Sequence, residues 1–431
     1  MDAEAPTVRL SAPEIRRAII ASTIGNGLEW FDFLIYGFFA AIISGVFFPA
    51  GNHAVSLMLT YATFGVGFVV RPFGGILLGL YADRAGRRAA LSLLILLMAA
   101  GTLILGLTPS YASIGIAAPL IVLGARILQG LSVGGEFASS TAMLVEYAPP
   151  GKKLFYGAFQ MCAQSFALTL AAGFGFVLTT SLSKESLALW GWRVPFLLGG
   201  LVGPVGFYIR RRVAESPEFT AILRAPPTRR PAVASLAGAH LPAVVFAIGT
   251  VVAGTAGVYL WNTYLPVYVV QTLHLPLSTP LGNAAILGAI NIVLNPLMGK
   301  LADRVGAYRV FVPAVAISGL LAYPLFAFVV AHPSAGNLFA VQMVASLLGT
   351  GIAAPIPGLM AQSFPTALRS TGMAVAYNFS VAIFGGLAPL TVTALREATG
   401  SRFIPAYYLA AAAALTLALV LAFRPRVTPR R

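Results

Sequence analysis

Four ionisable residues stand deep inside long apolar runs, where a charge is hardest to keep. Glu29 and Asp32 share the first run, Arg71 lies in the second and Arg126 in the fourth. A charge at the centre of a bilayer costs roughly 3 kcal/mol on insertion scales, so each needs a partner and commonly marks a function. At a helical rise of about 1.5 Å per residue, Glu29 and Arg71 lie about 16 Å from the basic ends of their runs, and Asp32 and Arg126 about 21 Å. Two acids and two arginines therefore occupy one slab, and their charges cancel. Arginine keeps its charge and offers a planar fork of donors that fits a carboxylate. Two at one depth point to a substrate with at least two carboxylates. The neighbouring acids are candidate proton carriers, and Asp32 matches Arg126 in depth. The competing reading is a pair of structural salt bridges pinning the first, second and fourth segments. The roles combine if a pair opens on protonation and acts as a switch.

Polar partners for such a site are Gln129 on the fourth run and Gln160 and Gln164 one turn apart on the fifth. The second half of the chain offers Tyr259, Asn262, Tyr264, Asn291, Asn295, Tyr377 and Asn378. For each Asn or Gln the alternative is an ordinary interhelical hydrogen bond.

These charges must be positioned by elements that live in lipid. The chain of 431 residues is 58% hydrophobic and only 10% charged, against about 25% in soluble domains. Such a composition cannot cover a globular surface. The net charge of +15 is no nucleic-acid footprint, because the basic residues sit in short loops between apolar runs. Twelve runs are each long enough to span roughly 30 Å of hydrocarbon. They lie near 18–46, 54–81, 89–108, 113–141, 154–181, 192–209, 239–271, 281–301, 309–331, 337–363, 371–395 and 404–423. Continuous runs of this length mean helices rather than barrel strands. Lys and Arg crowd one set of loops, which places both termini in the cytoplasm. No cleavable signal pattern precedes the first run. The polar stretch 213–238, with Pro226, Pro227, Arg229, Arg230 and Pro231, divides a bundle at 1–212 from one at 239–431.

A polar turn recurs in both halves. Gly79-Leu-Tyr-Ala-Asp83-Arg84-Ala-Gly86-Arg87-Arg88 is matched by Gly299-Lys-Leu-Ala-Asp303-Arg304-Val-Gly306. A repeat in the same place in two halves signals internal duplication, an architecture of secondary transporters. Asp83, Arg84, Arg87 and Asp303, in these turns at the cytoplasmic face, are candidates for a gate. Glu136, near the cytoplasmic end of its run, joins them by pairing with an arginine of 84–88. Asp83 can cap the segment starting near Arg369–Gly372, where the helix dipole favours a carboxylate.

The 79–88 turn resembles the loop between helices 2 and 3 of the major facilitator superfamily, and Arg126-Ile-Leu-Gln129-Gly130 its helix 4 motif. Gly25-Asn-Gly-Leu-Glu29-Trp-Phe-Asp32-Phe33, Arg71-Pro-Phe-Gly-Gly75, Gly191-Trp-Arg-Val-Pro-Phe196 and Glu215-Ser-Pro-Glu-Phe219 resemble its metabolite–proton symporter family. Phe48-Pro49-Ala50, Pro109-Ser110-Tyr111 and Pro150-Gly151-Lys152-Lys153 point within it to citrate–proton and tricarballylate transporters. The resemblance covers essentially the whole chain. It implies an all-α fold of twelve transmembrane helices in two pseudo-symmetric six-helix bundles. It also implies proton-driven import by alternating access across a bacterial inner membrane. Arg71 and Arg126 become carboxylate ligands, Asp32 and Glu29 proton-linked acids, and Asp83, Arg87 and Glu136 gate residues. The second copy departs from the pattern at Ala307-Tyr308-Arg309, so its gate is paired differently.

The expected partners are a small carboxylate, protons and the bilayer, with no nucleic acid, and the expected assembly is a monomer. An osmolyte or zwitterion symporter and a drug–proton antiporter are the alternatives on the same fold. A membrane-embedded enzyme lacks support, because no Ser-His or Asp-His constellation is present. No metal or cofactor is expected: Cys162 is the only cysteine, and His53, His240, His274 and His332 fall near segment ends. Trp190 and Trp192 suit an interfacial aromatic belt.

Overall fold

The computed structural model describes residues 26–27, 30–75, 77, 87–133, 136–146, 148–201, 236, 238, 240–365 and 368–424. The expected linker, apart from Leu236 and Gly238, lies outside the described residues, as do Glu29, Asp83 and Arg84 and the side chains of Arg87 and Glu136.

Helices follow one another with no strand among the described residues. They are α1 (Trp30–Phe38), α2 (Ala40–Phe47), α3 (His53–Gly75), α4 (Arg87–Leu107) and α5 (Ala117–Val133). After them come α6 (Glu136–Glu146), α7 (Lys153–Ser181), α8 (Leu241–Thr272), α9 (Ser278–Val305) and α10 (Ala307–Ala331). The last three are α11 (Ala335–Ser363), α12 (Arg369–Thr399) and α13 (Ile404–Ala422). Among the described residues, 8 of these helices are long and apolar enough to cross a membrane. The pair α1 and α2, bent by 72° at Phe39, makes a ninth if counted as one span. In lipid only helices and closed barrels satisfy their own backbone, which explains the absence of irregular connections at depth. The expected runs at 89–108 and 113–141 correspond to α4 and to α5 with α6. The run at 192–209 is described only as far as Leu201.

Irregular turns interrupt the helices where polar residues collect. A π turn at Tyr259–Tyr264 lies inside α8, and another at Ala382–Gly386 inside α12. Such wide turns release a backbone carbonyl, and they concentrate at functional sites. Here the carbonyl of Val258 accepts from the Asn262 side chain at 2.9 Å.

Trp192 is a correction to the aromatic-belt reading. Trp190 is exposed as a belt residue would be, but Trp192 is fully buried. Its ring meets Phe47 edge-on at 5.4 Å and lies under the Arg193 guanidinium at 4.5 Å. Arg193 in turn donates to the carbonyls of Gly106 and Thr108. The Trp-Arg pair therefore locks the end of α4 instead of facing lipid headgroups.

The longest seam joins α7 and α9, which run antiparallel from one end of the molecule to the other. Asn295 donates to Ser165 at 3.0 Å, and the Cys162 thiol donates to the carbonyl of Ile292 at 3.4 Å. Small residues set the helix separation. A Cβ on Gly288 would lie 2.5 Å from Thr169 Oγ1 and 3.0 Å from the Thr169 amide nitrogen. Gly288→Val is expected to destabilise the protein by about 1–3 kcal/mol through overpacking. The check is the unfolding temperature of the purified protein in detergent, and an unchanged value would contradict the close seam.

Candidate functional site

The deep charges are gathered by crossings of α1, α3, α4 and α5. Gly130 of α5 packs directly on Gly67 of α3, and a Cβ there would collide with the Gly67 carbonyl. That approach brings Arg126 and Arg71 to the same aromatic ring. The guanidinium carbon of Arg71 lies 4.6 Å from the Phe33 centroid and 4.1 Å from that of Phe68. That of Arg126 lies 5.8 Å from Phe33 and 3.9 Å from Tyr36. Both side chains are fully buried. Cation–π contact of this kind is strongest where water is excluded.

Arg126 pairs with Asp32 at 3.5 Å. Gln129 completes the cluster. Its side-chain oxygen accepts from Arg126 at 2.8 Å, while its amide nitrogen donates to Asp32 and, at 3.1 Å, to Thr102 of α4. One amide thus ties acid, base and a third helix together. Asp32 Oδ1 and Arg126 Nε and Nη2 have no hydrogen-bond partner among the described residues. The pair is buried but incompletely satisfied, which is costly for stability and suited to rearrangement.

A cavity of about 200 Å³ lies between the first and second halves of the chain. Its walls include Trp30, Phe137, Trp261 and Tyr377, with Gln164, Asn262, Asn291, Asn295, Gln342 and Ser346. No charged residue lines it among those described. A second, much smaller recess holds Arg71 together with Asn378, and shares Trp30, Phe137 and Tyr377 with the cavity. Phe137 and Tyr377 stack at 3.6 Å with their planes only 4° apart. The aromatic wall therefore stands between the neutral cavity and the cation.

The α1 helix connects these sites. Trp30 and Leu34, one turn apart, face the cavity. Asp32 and Tyr36, also one turn apart, face Arg126 on the other side. Residues two apart on a helix point in nearly opposite directions.

The sequence-predicted ligands thus separate into groups. Gln164, Asn262 and Tyr377 line the cavity, and Arg71 and Asn378 line the recess. Arg126 and Gln129 line neither and belong to the Asp32 cluster. Gln160 is buried with no partner for its amide atoms among the described residues. Tyr259 packs on Trp30, Phe64 and Phe68 outside both linings. Gln342 and Ser346 were missed; only their spacing of one turn on α11 could have signalled them.

Contacts between the halves are described at both ends of the molecule. At the end carrying Lys153, Asp303 and Arg369, here called the basic end, Asp303 accepts from the amides of Leu154 and Phe155 at 3.0 and 2.9 Å. The acid of the second polar turn thus caps the start of α7, the contact expected of its partner Asp83 at α12. Beside it Glu146 and Arg369 pair at 2.7 Å, and Arg369 also donates to the Ala361 carbonyl. Glu146 is thus the α6 acid seen in an ion pair among the described residues, and the Glu136 side chain lies outside them. At the opposite end Tyr61 meets Tyr264, and the Gln271 amide lies 3.4 Å from His53 Nδ1.

Comparison with known proteins agrees with this geometry. The pattern of the Major Facilitator Superfamily matches residues 30–389. The chain belongs to the major facilitator superfamily. It is 38% identical over 397 residues to a citrate-proton symporter of Klebsiella pneumoniae, covering 92% of this chain and 89% of that one. It is 35% identical over 420 residues to a proline/betaine transporter of Salmonella typhimurium, covering 94% and 82%. Among solved structures it is similar in fold to a D-xylose-proton symporter, with TM-score 0.73 and 18% identity over 95% of this chain and 99% of that one. The inward open xylose transporter of E. coli gives 0.74 at 16% identity, over 96% and 98%. The protein is accordingly a multi-pass membrane transporter and not an enzyme.

The cap at the basic end yields a quantitative expectation. Removing a helix cap costs about 1 kcal/mol, or roughly fivefold in an opening equilibrium. Asp303→Ala should speed maleimide labelling of Cys162, the single cysteine, by about that factor, since its thiol is enclosed in the α7–α9 seam. Labelling at the unaltered rate would show that the cap does not hold the seam closed.

Proposed function

We propose that the chain is a proton-coupled symporter that imports a small di- or tricarboxylate, such as citrate or tricarballylate, by alternating access. The observation that carries this reading is the enclosed Arg71 guanidinium, set one aromatic wall from the neutral central cavity. A buried cation next to a ligand-sized space favours an anion, and two relatives of one kind narrow the choice: the citrate-proton symporters of Klebsiella pneumoniae and Salmonella typhi share 38% and 34% identity with this chain. Arg71 and Asn378 then serve the carboxylate, while Gln164, Asn262 and Tyr377 shape the space around it.

The Asp32–Arg126–Gln129 cluster supplies coupling in this reading, with Glu29 as a second candidate acid. Arg126 and Gln129 thereby act on the proton carrier instead of touching substrate. Protonating Asp32 removes the partner of Arg126, frees α1 to move and offsets incoming negative charge. Proton and substrate binding then favour each other, which is thermodynamic coupling. The need is large: a trivalent anion entering a negative-inside cell climbs about 2.3 kcal/mol per charge per 100 mV, roughly 7 kcal/mol for three charges.

The remaining features are part of the same proposal. The basic end faces the cytoplasm by the positive-inside rule. Asp83, Arg84, Arg87, Glu136 and Asp303 form the gate there. The protein is a monomer in a bacterial inner membrane, with bundles at 1–212 and 239–431.

A second reading is favoured by the cavity itself. Four aromatic side chains and no described charge in its lining suit a quaternary ammonium held by cation–π contact, and proline/betaine transporters are also among the relatives. Counterflow in proteoliposomes decides between the two. Citrate or tricarballylate should exchange, and proline and betaine should not; the reverse result would replace the carboxylate with a zwitterion. Arg71→Lys should lower carboxylate uptake at least tenfold, because an ammonium cannot reproduce the guanidinium fork.

Coupling is tested separately. Asp32→Asn should keep substrate exchange but lose accumulation driven by a pH gradient. In the unmodified protein, carboxylate affinity should rise as pH falls. If Asp32→Asn and Glu29→Gln each still concentrate substrate with the original pH dependence, the coupling assignment is wrong.

A further inference from the structure

The second half of the chain contributes an ordered set of amides to the central cavity. On α9 and α11, Asn283 donates to Gln342 Oε1 at 2.7 Å, and Ser346 donates to Asn291 Oδ1 at 2.9 Å. Gln342 and Asn291 both line the cavity. In each, a neighbour occupies the amide oxygen and so fixes which way the group faces. The NH2 groups of Gln342 and Asn291 have no protein partner among the described residues. On α7, which packs along α9, Gln164 also lines the cavity, and its NH2 group is buried and likewise has no hydrogen-bond partner among them. Three residues with such amide donors thus line one space with no described acid in its lining.

We propose that Asn291, Gln342 and Gln164 form a neutral donor subsite that binds carboxylate oxygens of the substrate, with Ser346 and Asn283 as the positioning residues. The proposal rests on the carboxylate reading above and extends it to the groups that Arg71 does not reach. An ionised oxygen receiving amide hydrogen bonds in a dry site is held more strongly than a neutral acceptor. Neutral donors also leave the substrate's charge to be balanced by Arg71 and the proton. The carrier therefore does not retain an anion behind a fixed cluster of cations. Holding Gln342 through Asn283 and Asn291 through Ser346 keeps the donors oriented before substrate arrives, which lowers the ordering cost of binding.

The test uses the full chain, purified and reconstituted, with citrate as the probe and calorimetric binding as the readout. Gln342→Glu and Asn291→Asp replace an NH2 donor with an oxygen of the same size. Each variant should bind citrate at least tenfold more weakly than the unmodified protein near neutral pH. That ratio should shrink as pH falls, because a protonated carboxyl can donate again. A purely structural role would give a ratio that does not respond to pH. Unfolding temperatures of both variants identify any that fail to fold. Gln164→Glu, on α7, is the third measurement of the same ratio and stands if either of the others does not fold. Equal affinities for variant and unmodified protein overturn the subsite while leaving the carboxylate reading intact. Failure of the unmodified protein to bind citrate, tricarballylate or a dicarboxylate overturns both.

Discussion

A guanidinium enclosed in a membrane protein has no water to solvate it and cannot shed its proton at any ordinary pH. Arg71 and Arg126 are both completely enclosed, so the surrounding helices have to supply what solvent would. They do so with ring faces from α1 and α3 and with the Asp32 carboxylate. This requirement governs the packing around them. Gly67 and Gly130 let α3 and α5 touch backbone to backbone, and Gln129 brings in α4 through Thr102. Four helices converge because two cations have to be satisfied at one depth.

The cost of that arrangement is also its use. A buried pair adds little net stability when compared with well-packed apolar residues, but breaking one partner is expensive. Neutralising Asp32 therefore changes the local energetics more than any surface titration could. The change is felt on α1, whose opposite side carries Trp30 and Leu34 in the wall of the cavity. The charge cluster and the cavity wall are thus two faces of one helix.

The contacts between the halves follow a different rule. At the basic end, among the described residues, they include an aspartate on two backbone amides and an arginine–glutamate pair, beside the close approach of Gly358 to Leu154. Along α7 and α9 they are close and made by small residues. That seam sets glycines against larger side chains, Gly175 against Leu281 and Gly282 against Phe176, which lets the two helices lie close together. Dispersion forces and polar contacts hold such interfaces in lipid, where the hydrophobic effect does not act between helices.

The sequence by itself determined the lipid environment, the helical class and the depth of the charges, because each follows from local composition and a fixed rise per residue. It put Asp32 level with Arg126, and the structure pairs them. It also put Asp303 in a repeated polar turn, and the structure sets that acid on two backbone amides of the first half. What it could not supply was direction around each helix axis. Depth is set along one chain, but facing is set by the neighbour, and that is a tertiary property. Hence Arg126 and Gln129 turned toward Asp32 while Gln164 and Asn262 turned toward the cavity. Trp192 left the expected interface for the core, because Arg193 found two carbonyls at the end of α4. Asn291 was a candidate from the sequence, but the facing of its amide and that of Gln342 is fixed by partners on another helix, far away in sequence.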